Sequence, residues 1–354
     1  GRESSKLQHE LTTLREGHRF QSLDVAIRAL PLDDVRRAAW CNADRFSTTW
    51  VTAWPSPDCR VSNAEFLEIS ARYYGLPSPA CARLIGQPIG NTRAVLDAYG
   101  TKLVAASLPG DGFRSQHDAI KWRLDADMRE MGVRARTEVY GLFAAVLPQQ
   151  ARHNLSLWPQ RKRQGLVPDF VIALPANEDA ASQPTDELFE LKTLHLHLGS
   201  TTYPEPAADT RCGAVERRAA SLPAEYAAKA RHVDERFCGA PRGSVGPVSA
   251  RLASFGAVRG LVFGHWLEGS SHVEALLSGC ARTGAERHWR SMRAKDPAAA
   301  VGTLAWLLRR RWGMVAWRSA ARLLLDRLEH VGRGAARSHE RRAVAAAGAA
   351  AARR

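Results

Sequence analysis

Two apolar stretches, LVPDFVIAL (166–174) and ELFELKTLHL (187–196), carry charged residues where a strand buried in a sheet ordinarily carries valine or leucine. Side chains alternate along a strand. Val167, Asp169 and Val171 therefore share one face of the first stretch, and Leu188, Glu190, Lys192 and Leu194 share one face of the second. If the two strands are neighbours, Asp169, Glu190 and Lys192 converge on one point of the sheet.

The surrounding pattern says what kind of sheet this is. From Ser115 onward helical and strand-like segments alternate, the pattern of an α/β unit rather than a helical bundle. SQHDAIKWRLDADMREMG is predicted to be a helix closed by Gly132, and VRARTEVYGLFAAVL a first strand. The two charged stretches are the second and third strands. LPAEYAAKARHVDERFCG follows as a helix from Pro223 to Gly239, then RGLVFGHW as a fourth strand and SSHVEALLSGCA as a short helix capped by Ser270 or Ser271. Ahead of this unit, residues 1–45 read as two helices broken at Pro31, and SNAEFLEISARYYGL as a capped helix ending near Gly75. Beyond it, KDPAAAVGTLAWLL…LEHVG makes one or two further helices with apolar faces.

The chemistry of the convergence point follows from its donors. Two carboxylates with the Leu191 carbonyl between them offer hard oxygen ligands, which suit Mg²⁺ (or Mn²⁺) rather than a soft-ligand metal. A lysine beside such an ion can orient a water molecule and offset charge building on a phosphoryl group. The bland alternative is that Asp169 sits at a strand end near a loop and that Glu190 and Lys192 form an exposed same-face pair.

In element order and in the Pro168-Asp169 and Glu190-x-Lys192 motifs, residues 115–282 resemble the PD-(D/E)xK, or restriction-endonuclease-like, nuclease superfamily. The resemblance implies an α/β fold with a core of helix, three strands, helix and strand. It implies metal-dependent hydrolysis of DNA phosphodiester bonds, with Asp169 and Glu190 as metal ligands and Lys192 orienting the water and stabilising the transition state. The layout RFSTTWVTAWP…EFLEISARYYGLP, GDGFRSQHDAIKWRL, GLVPDF and FELKT further resembles the carboxyl-terminal region of reverse-transcriptase-encoding mobile elements. Such elements commonly carry a Cys/His zinc knuckle before the His-Asp helix. Here ARLIGQPIGNTRAVLDAYGTKLVAAS has Cys81 just ahead of it and no histidine, so the knuckle is degenerate, which puts target-site binding in doubt. The domain reading is then a helical region with a knuckle-like linker (1–114), the nuclease-like core (115–282), C-terminal helices (283–332) and an Ala/Arg-rich tail (333–354) that is expected to be disordered. The implied partners are DNA and an RNA or reverse-transcriptase module of a longer polyprotein. The alternative is a catalytically inactive nucleic-acid-binding module on the same core.

Several other residues are candidates around that centre. Glu138 on the first strand and Glu130 on the preceding helix could each add a carboxylate, or simply be solvated. His117 and Asp118 could touch phosphate or metal, although an aspartate in the first helical turn also answers the helix dipole. Tyr226 and Lys229, on the helix after the third strand, are candidates for phosphate contact. Arg161, Lys162 and Arg163 beside Trp158 could hold a nucleic-acid backbone and stack a base, or form a solvated charge run. His195 and His197 share the face opposite Glu190, and no third zinc ligand lies near them in sequence.

Composition restricts the partners. Fifty Lys and Arg against 36 Asp and Glu give a formal charge of +14, which favours polyanions. No apolar run reaches transmembrane length, since Arg309, Arg310 and Arg311 cut the longest candidate, so no membrane partner is expected. Six scattered cysteines read as reduced thiols of an intracellular protein that is not secreted, with the nucleus among the expected locations. The start at Gly1 reads as a piece of something longer.

Overall fold

The computed structural model describes residues 2–31, 34–41, 44–53, 56–110, 112–156, 166–173, 186–196 and 213–332. The N-terminal helices separate at Pro31 as expected: α1 (Arg2–Arg28) and α2 (Val35–Cys41). A single turn, α3 (Thr49–Thr52), precedes α4 (Asn63–Tyr73). Ser62 and Glu65 close a reciprocal capping box on α4, and Gly75, at φ +65°, ends it. After α5 (Thr101–Ala105) comes the long α6 (Gly112–Met131), terminated by Gly132 at φ +80°. Then follow β1 (Arg134–Thr137), α7 (Gln149–Ser156), β2 (Phe170–Ala173) and β3 (Asp186–Thr193). The chain continues through α8 (Gly213–Phe237), α9 (Pro247–Ala253), β4 (Arg259–Phe263), α10 (Ser271–His288) and α11 (Pro297–Arg327).

The four strands form one mixed sheet in the order β1-β2-β3-β4. The first three are antiparallel neighbours, while β4 returns parallel to β3. A parallel return requires a crossover, and α8 and α9 supply it. Strand alternation splits the sheet into two apolar faces. Phe170, Ile172, Phe189, Leu191, Leu261 and Phe263 pack on α6, α10 and α11. Val171 and Leu188 face Tyr226, Ala230 and Val233 of α8, and Val262 meets Ala219 and Leu222. Gly260 of β4 permits the closest approach, because a Cβ there would stand 2.7 Å from the Cα of Ala219. The result is a three-layer α/β arrangement in which helices outnumber strands. Phe46 from the turn before α3, Ile69 of α4 and Trp312 and Trp317 from α11 belong to the same cluster as the sheet.

Four expectations change. The first strand stops at Thr137 instead of running to Leu147, because Glu138 takes a left-handed conformation (φ +46°) and Gly141 another (φ +78°), after which Ala144–Val146 is a 3₁₀ turn. The crossover helix α8 starts ten residues before Pro223, which it carries internally. The helix after β4 is longer than the sequence suggests, with α10 running to His288, while α11 takes the single-helix option as one uninterrupted rod of 31 residues. Ser270 stands at the N-cap of α10 but its hydroxyl donates to the Gly260 carbonyl at 2.7 Å, fastening the helix to β4 instead of capping it.

The knuckle-like stretch holds no metal-ligand geometry. Cys81 is fully buried among Ile89, Leu96, Leu103 and Leu324, and burial pushes its thiol up to about 11. No helix among the described residues is long and apolar enough to cross a membrane.

Candidate active site

The register places the motif. Phe170 lies opposite Phe189 and Val171 opposite Leu188, so continuing the antiparallel pairing one residue back sets Asp169 beside Glu190. Both side chains, with that of Lys192, lie on the α8 face of the sheet, as the alternation requires. Glu190 is held from two sides: Tyr226 Oη of α8 donates to its Oε2 at 2.6 Å, and the Lys192 ammonium donates to Oε1. Asp169 Oδ2 accepts the Leu191 amide N–H at 2.8 Å and lies 3.2 Å from His117 Nε2. Among the described residues, Asp169 Oδ1 takes no hydrogen bond.

These contacts drive the two carboxyls apart. Burial works to raise Asp169, but the His117 hydrogen bond and charge, the Lys192 charge and the Leu191 amide outweigh it and hold its carboxyl below the usual range. Glu190 goes the other way. Burial and the neighbouring Asp169 charge hold it above its usual range, against the pull of Lys192 and Tyr226. Burial and the Glu190 charge in turn push the Tyr226 phenol far up, so it stays a hydrogen-bond donor. Two neighbouring acids of opposite shift are an arrangement that can serve acid–base or metal chemistry and that structural ion-pair networks also produce.

A second layer ties this pair to α6. His117 Nδ1 is 3.2 Å from Asp118 Oδ1, and the same oxygen lies 2.9 Å from the Lys121 ammonium, which also bonds Glu138 Oε1 at 2.5 Å. Glu138 N–H in turn donates to the Asp169 carbonyl at 3.1 Å. Arg114 approaches Asp118 Oδ2 at 3.5 Å from the solvent side. Lys121 was not singled out by sequence. The signal available was its spacing of three from Asp118 on an amphipathic helix, which sets the two on one face.

The other predicted residues are distributed as follows. Glu138 approaches the site, though from one residue past β1 and by way of Lys121. Glu130 does not. It sits in the last turn of α6, bonded to Arg311 at 2.7 Å, and thirteen residues of helix separate it from His117, about 20 Å. Lys229 lies over the Tyr226 ring at 5.4 Å, behind the hydroxyl that meets Glu190. Arg161, Lys162, Arg163, Trp158 and His197 fall outside the described residues.

His195 follows β3, its ring tilted against that of Phe113 at 5.6 Å, with both ring nitrogens buried and without a hydrogen-bond partner among the described residues. Burial, with the charges of Arg72 and Arg327, lowers its pKa to about 3, and burial also pushes nearby His265 well down. A depressed folded pKa gives stability that is fully present above the unfolded value of 6.5 and is lost as pH falls towards the folded one. The loss is about 1.4 kcal/mol per pH unit for each such histidine. Urea melts from pH 7.5 to 4.5 are expected to show this acid slope, and His195→Leu to flatten it by about that amount per unit.

No protein-family model, curated protein or solved structure matches this chain.

Proposed function

We propose that the chain is a metal-dependent endonuclease of the PD-(D/E)xK kind, hydrolysing DNA phosphodiester bonds on a restriction-endonuclease-like core of a retroelement-type protein. The observation that carries this reading is the pairing of Asp169 and Glu190 on one buried strand face with Lys192 bonded between them and solvent. The element order of helix, three strands, helix and strand, with a final parallel pair, supports it. So does the net positive charge, which suits a polyanionic substrate.

The donor chemistry fits a hard divalent cation. Asp169 and Glu190 would hold it through oxygen, with the Leu191 carbonyl beside them. A small hard ion held by one or two carboxylates keeps several waters and shares its remaining positions with substrate. When bound, such an ion polarises the phosphoryl oxygens and favours a nucleophilic water. The protein's own groups do the rest. Lys192, a third exposed, can swing from Glu190 Oε1 towards the phosphate, where it orients the water and offsets negative charge. Tyr226 keeps Glu190 in place through Oε2 when Lys192 leaves.

One observation favours a second reading, an inactive nucleic-acid-binding module. Both Glu190 oxygens and Asp169 Oδ2 are already satisfied within the chain, so the charges can rest without an ion. Cleavage separates the two. Purified protein is incubated with supercoiled and single-stranded DNA in Mg²⁺, Mn²⁺ or EDTA, alongside Lys192→Ala. Nicking that needs the metal and disappears with Lys192→Ala is the expected result. Salt-sensitive DNA binding without cleavage, unchanged by the substitution, would leave the inactive module.

A further inference from the structure

We infer that Lys121 is a positioning residue for this site, the internal cation of a closed ring of contacts that sets the orientation of Asp169. The inference rests on the nuclease reading for its consequence, though the ring itself does not depend on it.

The ring can be followed atom by atom. Lys121 Nζ bonds Asp118 Oδ1 at 2.9 Å and Glu138 Oε1 at 2.5 Å. Asp118 Oδ1 meets His117 Nδ1, and His117 Nε2 meets Asp169 Oδ2, each at 3.2 Å. Glu138 N–H donates to the Asp169 carbonyl at 3.1 Å, which closes the circuit. The first turns of α6, the end of β1 and the entry to β2 therefore meet at one residue, with its carboxylate gripped from α6 and its backbone gripped from β1.

Three features point to a built device. The Lys121 side chain is 1% exposed, and an ammonium is not buried at this depth without compensating carboxylates. A lysine serving only as packing could be leucine at no electrostatic cost. Glu138 holds a left-handed backbone, which a residue with a Cβ adopts only when its surroundings impose it. Here Lys121 holds its carboxylate and Asp169 its N–H. Lastly, both His117 nitrogens are engaged, so the imidazole has a single orientation, the one that offers Nε2 to Asp169. Removing the ammonium leaves Asp118 and Glu138 facing each other unscreened, frees His117 from its fixed partner and loosens Asp169.

Lys121→Met keeps the length of the side chain and deletes the charge, while Glu138→Gln keeps shape at a part-exposed position. Four quantities are compared with the wild type: melting temperature, Mg²⁺ affinity by calorimetry without DNA, the long-range ¹H–¹⁵N spectrum of the His117 ring, and the single-turnover cleavage rate. Expected for Lys121→Met are a folded protein, displaced His117 ring resonances, Mg²⁺ affinity weaker by about tenfold or more, and cleavage slower by about 10–100-fold. Glu138→Gln should move all three site readouts in the same direction by less. Unchanged His117 resonances with affinity and rate within threefold of wild type would overturn the inference, and if Lys121→Met does not fold, Glu138→Gln decides by the same limits. A wild type that neither binds Mg²⁺ nor cleaves sinks the nuclease reading instead, and the His117 spectra of the two variants still decide whether the ring exists.

Discussion

Asp169→Asn is expected to slow metal-dependent cleavage by about 10³-fold or more, roughly 4 kcal/mol of transition-state stabilisation, while moving the melting temperature by only a few degrees. The two halves of that expectation have different causes. An asparagine oxygen can still accept the Leu191 N–H, so the start of β2 stays pinned to β3. What is lost is a full negative charge in a site where Asp169 is the carboxylate held ionised, by His117 and Lys192 among others. Its loss removes attraction to His117 and Lys192 but also the repulsion that raises Glu190, so the stability terms oppose each other. Catalysis has no such offset, since Glu190 already fills its own place opposite position 169 and cannot supply the second oxygen anion. Single-turnover rates on supercoiled DNA, with thermal melts of the same preparation, test both halves. A rate within tenfold of wild type would place the chemistry elsewhere. A large rate loss accompanied by unfolding would make Asp169 a structural acid.

The residues at the centre were legible because strand alternation is strict. Once the residues are placed in strands, parity puts Glu190 and Lys192 on one face of β3, and the observed register sets Asp169 on that same face, opposite Glu190. Tyr226 was within reach for a similar reason, as helical spacing limits which α8 residues can look at the sheet. The surrounding support was harder to see. Glu138 joins the ring because the chain leaves β1 with a positive φ, and nothing in RARTEVYG advertises a left-handed glutamate. Read as a continuing strand, that segment puts Glu138 on a strand face; turned, it delivers the carboxylate to Lys121. Glu130 failed for the opposite reason. It stands in the last turn of a 20-residue helix whose other end, at His117, approaches the sheet edge. From sequence the C-terminal segment makes one or two helices with apolar faces, and its arginines serve only to exclude a membrane span. In the folded chain Arg309 bonds Glu274 and Arg311 bonds Asp127 and Glu130, so those charges are spent on neighbouring helices and the rod packs on the sheet-side core.

Those arginines lead to the largest stability effect expected outside the site. Asp127 is fully buried on α6. Its Oδ1 accepts from Arg123 at 2.5 Å and Arg311 at 3.1 Å, and its Oδ2 from Arg123 at 2.9 Å and the Trp312 indole N–H at 3.0 Å. One carboxylate thus joins α6 to α11 across the packed face, and the Trp312 indole N–H has its acceptor there, while Arg311 also reaches Glu130. Asp127→Ala leaves the Trp312 N–H buried without an acceptor and takes the shared carboxylate from two guanidinium groups that are each about one-fifth exposed, Arg311 keeping Glu130. Breaking a buried charge network from one side typically costs about 3–5 kcal/mol, and the cost is to be read from urea melts near neutral pH. A replacement that removes the need as well as the acceptor should recover part of that loss. Asp127→Leu combined with Trp312→Phe is therefore expected to be more stable than Asp127→Leu alone, because the second change deletes the orphaned donor. If the two substitutions were simply additive, the Trp312 contact would contribute little, and the tie between α6 and α11 would lie in apolar packing around Leu124, Met128 and Leu308. The network stands at the opposite end of α6 from His117, so the coupled loss should appear in stability while the metal affinity of the Asp169 site stays at its wild-type value.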